Sequence, residues 1–427
     1  MTGETRSRTD VRRYLLWLGA LAVVRAAIPL AAIVSGGLLP GFPSYSYEGP
    51  RGDANGYISD ARALVSAGSS YGLFLPALLA ALVAGLLGAR WTWRRYPGDR
   101  HWVIAAVGGL ASCLLAAVIL RLEGQAGSGA VGWPLILSLP LVPFRVLGWI
   151  DNEVAVGVGI VLAIVANTVT IFATAFIGYR ASGSRQIGIA AAALFAVWPF
   201  LIWMLLGEQT WENGAWEVET GLSLYSEPLS TACVAAGIAL GLVRGRPPWA
   251  VVAAGIACGY AAAVRPTNIV FAVAAALLFA SDRDWRSAGR FVVGGVAVLP
   301  IVLAFLPKKR GYDLELVRDQ TGMPLWSNDY VVSSFTDSSV WEPLLLALLL
   351  PLVAIGAVAL RSRGVALMLL GGALANAAIY SFFRATFEHP RYLHAGLPAL
   401  FVLWSAGAAW LADHAHRTSR PAQVRSS

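Results

Sequence analysis

The sequence predicts an all-α, polytopic helical membrane bundle, and three observations predict it. Of 427 residues, 57% are hydrophobic and only 13% charged, where soluble chains run near about 45–50% apolar and about 25% charged. The mean hydropathy of +0.64 fits a chain whose outer faces meet lipid. Second, the segments 14–39, 153–179, 186–206 and 342–360 are long and nearly uncharged, enough helix to cross about 30 Å of hydrocarbon at about 1.5 Å per residue. Third, the alternation of roughly 10-residue barrel strands is absent.

Basic clusters order the elements. Arg6–Arg13, Arg90–Arg100, Arg180–Arg185, Arg244–Arg246, Arg283–Arg290, Arg361–Arg363 and the tail from His414 all fall between apolar runs, the pattern of cytoplasmic connections. Placing them all inside requires an even number of spans with both termini cytoplasmic, and twelve fit within a single transmembrane domain over 1–427. The first, 14–39, opens after a basic stretch as a secretion signal does, but it is too long and too many spans follow, so it reads as a retained helix. Spans 71–89 and 102–121 form a hairpin about Arg90–Arg100, and 153–179 and 186–206 flank Arg180–Arg185. Span 222–243 runs to Arg244–Arg246. The stretch 249–281 has Arg265 in its middle and reads as a pair of short helices, 249–264 and 267–281, or as one bent element. Spans 291–306, 342–360, 364–383 and 392–411 complete the set. Trp133–Ile150 is apolar but holds three prolines and Arg145; it reads as an interfacial or re-entrant element of the outer face, its backbone buried in protein. Residues 1–12 and 414–427 read as disordered cytoplasmic tails.

Two function classes recede. A net charge of +8 is compatible with nucleic acid, but the basic residues sit between apolar runs as orientation signals, so no nucleic-acid partner is expected. Cys113, Cys233 and Cys258 all lie in apolar segments, which argues against a disulfide framework or a thiolate metal site.

The topology puts the long polar loops 40–70, 122–152, 207–221 and 307–341 on the outer side, where carboxylates alternate with Tyr and Trp. Chemistry or recognition belongs on that face. Its first constellation runs from Arg51 to Asp60. From Tyr57 the apolar positions 58, 61, 64 and 65 fit a short interfacial helix, preceded by Asp53 on a Gly-flanked turn. Asp53 is available as a general base toward a hydroxyl or as a helix-capping group. The second is Ser226-Glu227-Pro228-Leu229, at the outer start of a span. An ionisable residue at that depth needs a partner inside the bundle, unless it serves the helix dipole; Pro228 suits a first helical turn.

The third constellation is Arg265-Pro266-Thr267-Asn268 at a helix break. A guanidinium there suits a phosphate or a carboxylate, with a structural Arg–Glu pair to Glu227 as the plain reading. The fourth is Arg384–Tyr392, whose His389 and Arg391 offer an anion site at membrane level or a solvated loop. The fifth joins Trp211–Glu217 with Tyr312 and Trp326. Interfacial tryptophans serve as belt anchors, carboxylates beside aromatics suit sugars, and 307–341 reads as flexible cover.

The order of these motifs resembles the GT-C superfamily of polyprenyl-phosphate-sugar-dependent glycosyltransferases, in its protein mannosyltransferase and aminoarabinose transferase-like branch. The resemblance rests on Asp53 ahead of a short helix, Gly132-Trp133-Pro134-Leu135, Ser226–Leu229, Arg265-Pro266-Thr267, and Arg391-Tyr392-Leu393 running to Leu397-Pro398. It implies that Asp53 is the catalytic carboxylate, with Arg265, Arg391 and His389 holding the donor or leaving phosphate and Glu227 lining the same cavity. Tyr57 and Asp60 join them as donor- or acceptor-binding candidates. This chain departs from the family in one respect: 71–121 insert an apparent hairpin between Asp60 and Gly132.

The implied reaction moves a mannose- or pentose-like sugar to a hydroxyl of a glycan, lipid or protein on the outer face, with membrane lipids as surroundings. No cofactor is called for, no metal ligand set is assigned, and a divalent cation is compatible. The alternative is a transporter or flippase using Arg25, Asn167, Arg265 and Asn376 as intramembrane polar groups; a structural or assembly subunit is a third reading. The Ala, Gly, Val and Arg bias points to a bacterial plasma membrane.

Overall fold

The computed structural model describes residues 2–35, 53–71, 132–206, 226–298, 327–328, 331, 343–382 and 390–418. Among them the regular structure is entirely helical: α1 (Thr2–Ser35), α2 (Asp53–Tyr71), α3 (Gly132–Val146), α4 (Asn152–Ser182), α5 (Arg185–Leu206), α6 (Glu227–Gly241), α7 (Pro248–Val264), α8 (Ile269–Ser281), α9 (Trp285–Val296), α10 (Pro343–Ala359), α11 (Arg363–Ser381) and α12 (Leu397–Thr418), with 3-10 turns at Pro266–Asn268 and Pro390–Gly396. Three helices among the described residues are long and apolar enough to cross a membrane: Asn152–Ser182, Arg363–Ser381 and Leu393–Thr418. Exposed apolar stripes run along them, Val161, Val165 and Val169 on α4 and Leu367 and Leu374 on α11. Such surface belongs against lipid. The protein is a multi-pass, all-α membrane bundle.

Local chemistry sets the boundaries. Asp151 caps α4 by accepting from Val154 N at 2.7 Å, and Gly183 ends it at φ 80°, its N–H bonded to Tyr179 O, a left-handed conformation that glycine adopts without strain. Asp284 caps α9 through Ser287 N at 3.1 Å, so that helix starts at Trp285 rather than at the expected 291. Pro266 forces the residue before it out of the helical region. Arg265 accordingly sits at φ −143°, ψ 111°, and 249–281 becomes the pair of short helices α7 and α8.

Two other expectations change, while the Trp133–Ile150 element is helical as α3 through Val146, with Gly132, Trp133, Pro134, Leu137, Ser138 and Leu141 buried. Residues 2–12 and 414–418, read as tails, continue α1 and α12; once a helix is nucleated, extending it costs little. The interfacial helix expected from Tyr57 begins at Asp53. Spans 71–89 and 102–121 and loops 207–221 and 307–326 lie outside the described residues.

Close packing relies on missing side chains, as membrane helix pairs do. α7 meets α9 where Gly255 and Gly259 face Gly295 and Gly294 lies against Val252 and Ile256, and a Cβ at Gly255 would overlap Phe291 O. α10 meets α12 at Gly356 and Gly407 in the same way. α6 packs on α4 and α7, α8 on α11, α5 on α4 and α12, and α2 on α3.

The bundle has two chemically distinct ends. At one, Arg180 Nε donates to Leu242 O at 2.9 Å, Arg361 lies against Gly183, and Gly364 faces Ser281 and Asp282. Arg246 there pairs with Asp282 and Asp284. The clusters Arg180–Arg185, Arg244–Arg246, Arg283–Arg290 and Arg361–Arg363 thus share one end, as a common side requires. Exposed Trp249 and Trp285 mark the interfacial level. The opposite end carries the start of α6, the end of α7, the start of α8, the end of α11 and the turn Pro390–Gly396.

Candidate functional site

At that opposite end the polar residues are buried together. Ser226 precedes α6, Pro228 stands in its first turn as expected, and Glu227 is only 1% exposed. The extended backbone at Arg265 carries its side chain across to α6, where Nε donates to Ser226 Oγ at 3.1 Å and Nη2 donates to Glu227 Oε1. Two bonds to a planar fork leave the guanidinium one orientation. Its side chain keeps 13% exposure. The plain reading of Arg265, an ion pair with Glu227, is the one found.

Beneath this pair lies a second polar layer. Thr231, one turn along α6 from Glu227, hydrogen-bonds His394 Nδ1 at 2.7 Å. Ser230 Oγ donates to Glu227 O at 3.0 Å. The His394 imidazole is 1% exposed, tilts against the Phe195 ring at 5.6 Å, and its Nε2 has no hydrogen-bond partner among the described residues. On the other face of the cluster Thr267 Oγ1 and Tyr380 OH are 2.5 Å apart, tying the entry of α8 to the end of α11.

Phe195 links this layer to the centre of the bundle. Pro199 lies inside α5 and has no N–H to give to the carbonyl four residues back. Arg25 takes that role: Nη1 donates to Phe195 O at 2.6 Å and to Ala196 O at 3.3 Å, and Nη2 donates to Asn167 Oδ1 at 3.3 Å. Its guanidinium also lies 4.8 Å from the Phe195 ring centroid. A charged residue in the first helix and a proline in the fifth are thus one feature. Nearby Thr170 and Thr174 return their hydroxyls to Ala166 O and Thr170 O.

The N-terminal elements attach beside the ion pair. Tyr260 OH donates to Gly132 O at 2.6 Å, and a Cβ at Gly132 would lie 2.6 Å from the Val264 side chain and 2.7 Å from its backbone N. Only glycine lets α3 begin on the last turn of α7, next to Arg265. α2 leans on α3 through Ile58, Ala61 and Val65 against Leu137 and Leu141, and Arg62 reaches Asn152 Oδ1 and Ile150 O. The elements on either side of the 72–131 stretch therefore pack on each other.

Glu227 and Arg265 are brought together as predicted site residues. Asp53 opens α2, where the helix dipole favours a carboxylate; its side chain lies outside the described residues. Tyr57 and Asp60 are half-buried on α2, and burial raises the Asp60 carboxyl above its ordinary pKa. His389 lies outside the described residues; Arg391 falls in the turn Pro390–Gly396, its side chain outside them. Sequence reasoning missed Thr231, Tyr380 and His394. The signal for His394 was present as a histidine ahead of the apolar run from Leu397.

Cys233 and Cys258 are free thiols inside the bundle; Cys113 lies outside the described residues. Among the described residues no three His, Cys, Asp or Glu side chains are grouped to hold a metal ion. Neither a family model nor a curated protein matches this chain.

Proposed function

We propose that this protein is a membrane glycosyltransferase of the GT-C type, moving a mannose- or pentose-like sugar from a polyprenyl-phosphate donor to a hydroxyl acceptor on the outer face. The observation that carries the reading is the oriented, nearly desolvated Arg265 guanidinium, held by Glu227 and Ser226 at the end of the bundle opposite the arginine clusters. Gly132 seated beside it and α2, which Asp53 opens, leaning on α3 support the same reading. Twelve spans with cytoplasmic termini in a bacterial plasma membrane complete the proposal.

The acceptor hydroxyl gives its proton to Asp53 as its oxygen attacks the anomeric carbon. The bond from that carbon to the phosphate oxygen breaks, and its electron pair leaves with polyprenyl phosphate. A fixed cation such as Arg265 stabilises the charge that accumulates on the departing phosphate. Arg391, in the turn Pro390–Gly396, and His389 are the further candidates for holding that phosphate. The transport alternative draws on Arg25 and Asn167, but Arg25 is committed to the carbonyl that Pro199 leaves open, which reads as structural.

The test is transfer from radiolabelled polyprenyl-phosphate sugars by the purified protein in nanodiscs, beside an Asp53→Asn variant of equal folding. Transfer by wild type and its loss in the variant support the reading. Equal transfer by both would remove Asp53 from the chemistry. No binding or turnover of any donor by folded wild type, across a panel of acceptors, would overturn the proposal.

A further inference from the structure

An apolar groove of about 450 Å³ runs along the membrane-facing side between α8 and α11, with Val273, Leu277 and Gly371 among its walls and Ser281 and Gly364 at one end. Val273 and Leu277 are 52% and 62% exposed, so the walls are open to an occupant. A Cβ at Gly371 would meet nothing within 4 Å, so its missing side chain is part of the groove's free space. The volume lies within the range of about 300–1,000 Å³ typical of ligand clefts.

The end at Ser281 and Gly364 is the basic end of the bundle. Arg363 immediately precedes Gly364 and Arg283 follows Ser281 by two residues, and both are exposed, while the Arg361 guanidinium lies against Gly183. The two nearby carboxylates, Asp282 and Asp284, are already paired with Arg246. The exposed Trp285 sets this level as the headgroup zone. An apolar trough ending beside two exposed arginines at the membrane surface is complementary to one kind of molecule, an anion with a hydrocarbon chain.

We propose that the α8–α11 groove binds an anionic glycerophospholipid of the leaflet at the basic end, its phosphate at Arg283 and Arg363 and one acyl chain between Val273, Leu277 and Gly371. This site stands on the groove and its charge alone and is independent of the glycosyltransferase reading. A zwitterionic lipid fills the same trough with weaker hold, because its headgroup carries no net charge to meet the arginines.

The test is native mass spectrometry of the full-length protein titrated with phosphatidylglycerol or phosphatidylcholine of matched chains. Wild type retains phosphatidylglycerol preferentially. The double variant Arg283→Gln/Arg363→Gln lowers that affinity about thirtyfold with little effect on phosphatidylcholine. Gly371→Leu, whose Cβ would meet nothing within 4 Å, lowers binding of both. Arg12→Gln, a charge change on α1, leaves binding unaltered. Equal retention of both lipids by wild type, an Arg12→Gln loss as large as the double variant's, or unchanged binding in Gly371→Leu at wild-type thermal stability would each overturn the site.

Discussion

Two ion-pair sites, one at each end of the bundle, use the same groups in opposite surroundings. Arg265 and Glu227 meet with side chains 13% and 1% exposed, while Arg246 meets Asp282 and Asp284 with 25%, 41% and 33% exposure. In the first, water is gone and each partner's desolvation has to be offset by the other. In the second, solvent and salt screen the attraction, and the pairs contribute little. A buried pair is seldom justified by stability alone, since replacing both members with apolar groups is often neutral or better. That asymmetry is why the Glu227–Arg265 end reads as the working end and the Arg246 end as a clasp between the α6–α7 and α8–α9 connections.

The largest expected effect follows from breaking the buried pair on one side only. Arg265→Met leaves the buried Glu227 carboxyl without its guanidinium, and chemical unfolding in detergent should show a loss of about 3–5 kcal/mol. The double variant Arg265→Met/Glu227→Met should recover much of it. A double variant no better than the single would mean that the two groups do not act as a pair.

A smaller effect is expected midway along the bundle. Arg25→Met leaves Phe195 O without a donor, and an orphaned buried acceptor costs about 1–3 kcal/mol. Adding Pro199→Ala restores an N–H to that carbonyl, so the double variant should be more stable than Arg25→Met alone. The same Pro199→Ala change in the wild-type background should gain nothing comparable, because Arg25 already serves that acceptor. Additive effects in the four-protein cycle would contradict the link between α1 and α5.

The smallest effect belongs to the exposed end. Arg246→Ala should cost about 0.2–1 kcal/mol and less at high salt. Asp284 adds a pH dependence of defined sign. The Ser287 side chain and backbone hydrogen bonds, assisted by Arg246, hold its carboxyl below the ordinary carboxylate pKa. A depressed folded-state pKa stabilises the fold above the unfolded value, and that contribution is lost as pH falls through the folded one. Unfolding midpoints taken from neutral to acid pH should therefore fall less steeply for Asp284→Asn than for wild type. A steeper fall in the variant would reverse the sign.

Much of this contrast could be read from the sequence because it depends on local rules. Ile58, Ala61, Leu64 and Val65, chosen by helical period, are the buried positions among the described side chains of α2. Pro266 marked the break at Arg265, and an ionisable Glu227 at the head of an apolar span demanded a partner. The start of α9 was legible too, since Asp284 with Ser287 three residues on is a capping signal, but Arg286 and Arg290 delay the apolar run to 291. His394 and Arg25 were not assignable from their own neighbourhoods. One is defined by Thr231 and Phe195, the other by a carbonyl freed in α5, and these partners lie 163 and 170 residues away along the chain in the hydrogen bonds concerned. Pairings of that range come from tertiary packing and leave no periodicity to read.

The central claim is that the two ends differ in function as they differ in burial, and one paired assay addresses it most directly. Initial rates of sugar transfer from a labelled polyprenyl-phosphate donor would be compared for wild type, Glu227→Gln and Arg246→Ala, each confirmed folded by its unfolding transition in the same nanodiscs. The account predicts that Glu227→Gln loses about 10²–10³-fold, the scale of a lost electrostatic stabiliser, while Arg246→Ala stays within about twofold. Equal loss in the two variants, or full activity in Glu227→Gln, would contradict it.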